Sequence, residues 1–264
     1  PGDPASVKMS PPTAYTRVDN HCLTTSAKAE HIYGFLGLAG PRGLILRGKF
    51  WLGASPATSW IPVDNPPLYF VTVLRETLIS EGITVAGKAV VATEPVAITQ
   101  ADRLVHAYNS TLERAVLVAN KHSQNFYAEQ ILKTLGWKLT GKGTFSSGAA
   151  RVKQFLESVS PAGSACTVDD GSGLSRKNQL NAAALTDLLR WMVFPTQNNV
   201  AAARIFFDSL SVAGTDGTME ERFQEEPYRG RVKAKTGTIA GASSLSGYID
   251  VPGDVIAFSM LMNS

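Results

Sequence analysis

The sequence has no apolar run near the roughly 18 residues that a membrane-crossing helix needs. Its richest stretch, Val255 to Met262, has Ser259 inside it and reads as a short buried strand. Cysteine is scarce: Cys22 and Cys166 lie far apart and allow one bridge or two buried thiols, but no disulfide framework. There is no basic block. The 25 Lys and Arg against 22 Asp and Glu leave a net charge of +3, too balanced for a nucleic-acid binder. The four histidines, His21, His31, His106 and His122, show no HxH or HxxxH spacing, so a zinc site is not expected. Ser172, in Asp170-Gly171-Ser172-Gly173, does not form the GxSxG elbow of an α/β-hydrolase. Gly136 to Gly143 nearly spells a phosphate-binding P-loop, but Gly143 stands where Ser or Thr would hold magnesium, and the segment follows a helical pattern. Neither repeats nor low-complexity tracts occur. Pro1-Gly2-Asp3-Pro4 has neither the charged nor the apolar region of a signal peptide.

What is there suffices for a folded core. The chain of 264 residues is 44% hydrophobic, which excludes global disorder and suits one large or two small domains. The first sixty-odd residues read as β, with Leu44 to Leu52 the clearest strand. Pro66-Pro67 opens a helix whose apolar positions are Leu68, Val71, Leu74, Leu78 and Ile79, and which Gly82 stops. Ile83 to Ala92 reads as another strand, and a boundary follows near residues 95–101. Beyond it, Leu104, Tyr108, Leu112, Ala115 and Val116 share one helical face. Further helices are predicted over Gln124 to Leu135, ending at Gly136 and facing inward with Phe126, Ile131 and Leu132. Others cover Ser147 to Val159, Leu180 to Phe194 with Pro195 as stop, and Asn199 to Leu210. Strands then cover Arg231 to Thr236, Ser243 to Asp250 and Asp254 to Met262. Helices flanked by strands at the two ends predict an α+β layer.

Two short motifs carry chemistry. Ser123-Gln124-Asn125 opens a helix, and Lys235-Thr236-Gly237-Thr238 ends a strand beside a turn. Each has a plain structural reading, an N-cap for the first and a charged edge strand for the second. If a fold faces them across a cleft, they would offer a hydroxyl and an amide on one wall and an ammonium and a hydroxyl on the other. Penicillin-binding enzymes and serine β-lactamases carry S-x-N and K-T-G in this order, downstream of S-x-x-K. The stretch Asn120-Lys121-His122-Ser123-Gln124-Asn125-Phe126-Tyr127-Ala128-Glu129 resembles the class C low-molecular-mass penicillin-binding proteins, which are D-alanyl-D-alanine carboxypeptidases and endopeptidases. Asp169 to Arg176, Ala213 to Met219, Lys233 to Thr238 and Ser244 to Tyr248 are similar to further segments of that family. The 110 residues from Asn125 to Lys235 suit it better than a β-lactamase, which keeps these motifs closer. The likeness covers residues 60–264 well and the first sixty loosely.

The resemblance implies a penicillin-binding, serine β-lactamase-like transpeptidase fold, an antiparallel sheet with helices, over residues 99–264. Residues 1–98 would be part of an inserted β-rich domain with one helix. It implies a serine D-Ala-D-Ala carboxypeptidase or endopeptidase working through an acyl-enzyme on peptidoglycan stem peptides, acylated by β-lactam antibiotics, in the periplasm or on the cell surface. No metal or organic cofactor is implied. Ser123, Asn125 and Lys235 would be catalytic: Ser123 in the proton relay, Asn125 bonding the acyl side chain or orienting the catalytic lysine. Lys235, Thr236, Gly237 and Thr238 would bind substrate, with the Thr238 N–H half of an oxyanion hole. Asp170 and Arg176 would shape a loop near the cleft. One element is missing. No lysine has serine three positions before it, and the nearest miss is Thr25-Ser26-Ala27-Lys28. The chain is therefore expected to start inside the insertion, to lack a C-terminal helix over its sheet, and to fold against a missing N-terminal piece of the same protein. The alternative is a non-catalytic peptidoglycan-binding relic.

Overall fold

Strand-forming residues dominate the first segment of the computed structural model, which describes residues 1–36, 42–94, 96–193 and 200–263. Strands β1 (Arg17–Thr25), β2 (Ile32–Leu36) and β3 (Gly43–Trp51) form one sheet in the order β1-β3-β2. β1 runs parallel to β3 and β2 antiparallel to it. The helix α1 (Pro66–Ser80) follows. Asn65 caps it by accepting from the Leu68 N–H, and the two prolines occupy the first turn, where a missing N–H is harmless. These elements belong to the unit Pro1–Leu104. Thr25, the near miss for a nucleophile, ends β1 buried, its hydroxyl donating to Glu30 at 2.8 Å.

The strand predicted over Ile83 to Ala92 is absent. The carbonyls of Val85 and Gly87 accept instead from the Arg75 guanidinium, at 3.2 and 2.7 Å, so the apolar alternation there has no ladder to join. Leu104 and Tyr108 are not helical either. They lie exposed in irregular chain, and the helix begins at its Thr111 cap.

The unit Val105–Ser264 carries α2 (Leu112–Lys121), α3 (Asn125–Thr140), α4 (Phe145–Val159), α5 (Ala182–Val193) and α6 (Val200–Ser209). The predicted helix ends at Phe194 and Asn199, and the stop at Pro195, lie outside the described residues. Strands β4 (Ser211–Val212), β5 (Val232–Ile239), β6 (Ala242–Val251) and β7 (Asp254–Asn263) pair antiparallel in the order β4-β5-β6-β7. Buried Tyr248 anchors one face with Leu189 and Leu210. Its hydroxyl donates to the Leu189 carbonyl at 2.8 Å, and burial holds the phenol well above its ordinary pKa. Ala213, Met219, Val232, Ala234 and Leu245 form the core on the other face. Val255 to Met262 forms β7 as expected but at the rim of the sheet. Ile256, Met260 and Met262 are half-exposed or more, because no described strand lies beyond β7. Cys22 and Cys166 are buried free thiols. No described helix is long and apolar enough to cross a membrane.

Gly136 does not end its helix. α3 continues to Gly141, whose φ of +73° closes it in the left-handed conformation. Gly136 and Gly148 let α3 and α4 approach closely: a Cβ on Gly148 would lie 2.2 Å from the Leu132 carbonyl oxygen. Phe126, expected inside, is exposed, whereas Leu132 is buried at this contact. Gly148→Ala is expected to remove about 1–3 kcal/mol of unfolding free energy by overpacking. Thermal denaturation would show it as a lower Tm, and an unchanged Tm would contradict the close approach.

Candidate active site

One wall of the cleft is the joint between α2 and α3. α2 ends at Lys121, and His122 closes it by donating its N–H to the Val118 carbonyl. The N-cap of α3 is Gln124, whose side chain makes no capping bond. Ser123 therefore does not cap the helix, and its φ of +51° places it in the left-handed region. For a residue with a Cβ that conformation costs roughly 1–2 kcal/mol, a strain that persists where surrounding contacts enforce it. The result is a serine hydroxyl thrust out of the joint. Asn125 begins α3 with its side chain exposed and without a hydrogen bond among the described residues.

The other wall is the border of β5. β4 is two residues long and pairs only with Lys233 and Ala234, so from Lys235 onward no described strand covers that side. The Ala213 N–H donates to the Val232 carbonyl across this border. Antiparallel alternation then turns the N–H and C=O of Thr236 and Thr238 to the same open side. Pairing of Lys233 with Tyr248, Lys235 with Ser246 and Gly237 with Ser244 puts the Lys235 side chain on the Tyr248 face. Thr236 and Thr238 lie on the opposite face. Gly237 admits no side chain: a Cβ would meet Ser244 Oγ at 2.4 Å.

The two walls meet. Lys235 Nζ donates to Ser123 Oγ at 2.8 Å and to the Thr236 carbonyl at 2.7 Å. No described carboxylate forms an ion pair with it. Desolvation pushes its pKa below the ordinary 10.5. The arrangement is an uncompensated cation next to a hydroxyl and an unpaired strand border, suited to an anionic, extended ligand.

Residues outside the two motifs hold this geometry. Lys121 Nζ pairs with Asp216 Oδ2 at 2.5 Å, and Asp216 Oδ1 accepts the Val212 N–H at 2.8 Å. This ties the end of α2 to the turn after β4. In that turn Thr218 accepts from the Thr236 hydroxyl at 2.9 Å. The ordered segments around Lys121 and Asp216 were visible in sequence, but not their contact. On the far side of α3, Glu129 accepts the N–H groups of Gly171 and Ser172 at 2.9 and 3.1 Å. Asp170 braces the same loop through Gly173, Ser175 and Asn178. Burial works to raise the Asp170 pKa, but hydrogen bonds, that from Asn178 foremost, outweigh it and hold the carboxyl below its ordinary 3.8. Arg176 is exposed. Among the described residues no cluster of three or more His, Cys, Asp or Glu could hold a metal ion. An open groove of about 620 Å³ between the start of α4 and Cys166 to Asp169 shares no residue with the cleft.

Comparison with known proteins adds a family match. The model of the D-Ala-D-Ala carboxypeptidase 3 (S13) family matches residues 1–264. The chain is 30% identical to a D-alanyl-D-alanine carboxypeptidase of Actinomadura sp. (strain R39), over 99% of this chain and 49% of that protein. It is 28% identical to a penicillin-sensitive carboxypeptidase A of Dictyostelium discoideum, over 77% of this chain and 40% of the relative. The chain thus spans about half or less of these relatives' length. In fold it is similar to penicillin-binding protein 4 of Haemophilus influenzae, solved in complex with a β-lactam. The TM-score is 0.71 at 20% identity, covering 100% of this chain and 60% of that one.

The lowered pKa of Lys235 sets a pH dependence. The ammonium loses its proton as pH rises through a value below the ordinary 10.5. Affinity for a carboxylate ligand is expected to fall as pH rises, before an ordinary lysine would titrate. NMR titration with acetate at a series of pH values up to 10.5 checks this; constant affinity up to pH 10.5 would contradict it.

Proposed function

Because the chain belongs to the D-Ala-D-Ala carboxypeptidase 3 (S13) family, we propose that it forms the substrate-binding side of a serine carboxypeptidase or endopeptidase acting on peptidoglycan stem peptides. The observation that carries the reading is the 2.8 Å contact between Lys235 and Ser123 beside the open border of β5. A peptide ending in a carboxylate would lie along that border. Lys235 would supply the charge, and the hydroxyls of Thr236 and Thr238 would donate to the carboxylate. The peptide backbone would pair with the N–H and C=O groups that the strand turns to its open border.

Ser123, within reach of the Lys235 ammonium, would pass a proton to the leaving amine. The Thr238 N–H, turned to the open side, would give one of two hydrogen bonds to the developing oxyanion. Asn125, without a hydrogen bond among the described residues, would bind the acyl portion. The acylated serine and its lysine are not among these 264 residues and would come from polypeptide outside them. Action in the periplasm or at the cell surface, and acylation by β-lactams, belong to the same proposal. The family relationship and the penicillin-sensitive relative support it.

A second reading has one observation in its favour, the lack of any S-x-x-K in the chain. On that reading the protein is a peptidoglycan-binding relic. Fluorescent penicillin separates the two: the full-length gene product is expected to form a covalent adduct that survives denaturation, and its absence would favour the relic. In the full-length protein Ser123→Ala is expected to lower kcat by ~100-fold or more, as loss of a proton-transfer group does. Lys235→Ala should act chiefly on KM for carboxylate-ended peptides. Steady-state kinetics with a D-Ala-D-Ala peptide reads both, and wild-type kcat in Ser123→Ala would remove Ser123 from the mechanism.

A further inference from the structure

Thr218 has no part in the chemistry above, yet it touches a residue that does. It is half-buried in the turn after β4, and Thr236 donates its hydroxyl proton to Thr218 Oγ1 at 2.9 Å. Thr218 is itself held firmly. Its N–H donates to Ser211 Oγ at 3.2 Å, and the two hydroxyl oxygens lie 3.3 Å apart. Ser211 is fully buried and donates to the Lys121 carbonyl at 3.4 Å.

The turn cannot shift easily. Asp216 is fastened to Lys121, and Gly217 has φ +59°. A Cβ on Gly217 would lie 2.4 Å from Ser211 Oγ and 2.6 Å from the Lys121 carbonyl oxygen. The place of Thr218 is thus set by the end of α2, two residues before Ser123.

We propose that Thr218 is a positioning residue whose hydroxyl holds the Thr236 side chain in the one rotamer that lets its hydroxyl donate to a ligand carboxylate drawn to the border by Lys235. This rests on the reading of the cleft as a carboxylate-binding site. A threonine side chain moves between a few staggered rotamers, and freezing it before the ligand arrives spares that loss on binding. In the empty site the Thr236 proton rests on Thr218. A carboxylate is charged and the stronger acceptor, so the Thr236 proton turns to it, and the Thr218 hydroxyl, whose own proton is free to rotate, donates to Thr236 Oγ1 in its place and keeps that oxygen where it was. Thr218 touches neither the ligand nor the reacting atoms.

The test uses the full-length protein with Thr218→Val, which keeps the shape and removes the hydroxyl, and Thr218→Ser, which keeps the hydroxyl. Crystal structures are expected to show one Thr236 rotamer in the wild type and in Thr218→Ser, and a changed or split rotamer in Thr218→Val. An unchanged rotamer in Thr218→Val overturns the proposal, whether or not the protein is an enzyme. Kinetics supply the second readout. For a D-Ala-D-Ala peptide, Thr218→Val should raise KM about tenfold with kcat little changed, the scale of one weakened hydrogen bond to a charge. For a thioester of the same acyl group whose leaving group lacks a carboxylate, KM should not change, and Thr218→Ser should behave as wild type on both. Equal losses on both substrates, or an unaltered KM for the peptide, would show a structural role only and overturn the proposal. A wild type that turns over neither substrate would instead overturn the enzymatic reading, leaving the rotamers to decide the role of Thr218.

Discussion

A lysine ammonium that no described carboxylate balances is the constraint on which the rest of the cleft depends. Lys235 is partly withdrawn from water, and its partners among the described residues are a serine hydroxyl and a peptide carbonyl. Both are neutral acceptors. They satisfy the geometry of the ammonium without cancelling its charge, which leaves a standing attraction for an anion. A carboxylate side chain in place of Ser123 would stabilise the empty site and spoil it for binding. The depressed pKa of Lys235 is the same fact seen from the protein: desolvation opposes the charge, and no described carboxylate offsets it.

The scaffold serves this arrangement by leaving things out. β4 stops after two residues, so the border of β5 stays free where Lys235 to Thr238 need it. Gly237 leaves room for the Ser244 hydroxyl of the neighbouring strand, and Gly217 lets the end of α2 approach the turn after β4. The left-handed Ser123 is the strained counterpart: a helix that could have been capped by a serine is instead left uncapped by any side chain, and the hydroxyl faces across the cleft. The Lys121–Asp216 pair then joins the two walls at the base. With the Asp216 side chain 40% exposed, the pair adds little net stability, and its part is to tie the two segments together.

Much of this was legible in the sequence, and the failures have physical causes. α1 announced itself through Asn65, the two prolines and its apolar spacing, and β5 to β7 through β-rich runs separated by Gly-containing turns. Ile83 to Ala92 alternates like a strand, yet a strand needs a neighbour, and Arg75 had already taken two of its carbonyls. Gly136 looked like a helix stop because glycine often is one. Here the missing Cβ serves the contact with α4, and Gly141 does the stopping. Ser123 and Lys235 could be singled out as residue types at a suggestive spacing. The supports, Thr218 under Thr236 and Asp216 against Lys121, could not, since those contacts join segments 18 and 95 residues apart that meet only in the fold.

The central claim is that an unbalanced ammonium and a strained serine hydroxyl share one cleft. A high-resolution crystal structure of the full-length protein near pH 7 tests it most directly. The account requires Lys235 Nζ and Ser123 Oγ at a hydrogen-bond separation of roughly 2.7–3.2 Å, Ser123 at positive φ, and no carboxylate of the protein on the ammonium. A Lys235 side chain paired with an Asp or Glu, or turned away from Ser123 into solvent, would contradict it.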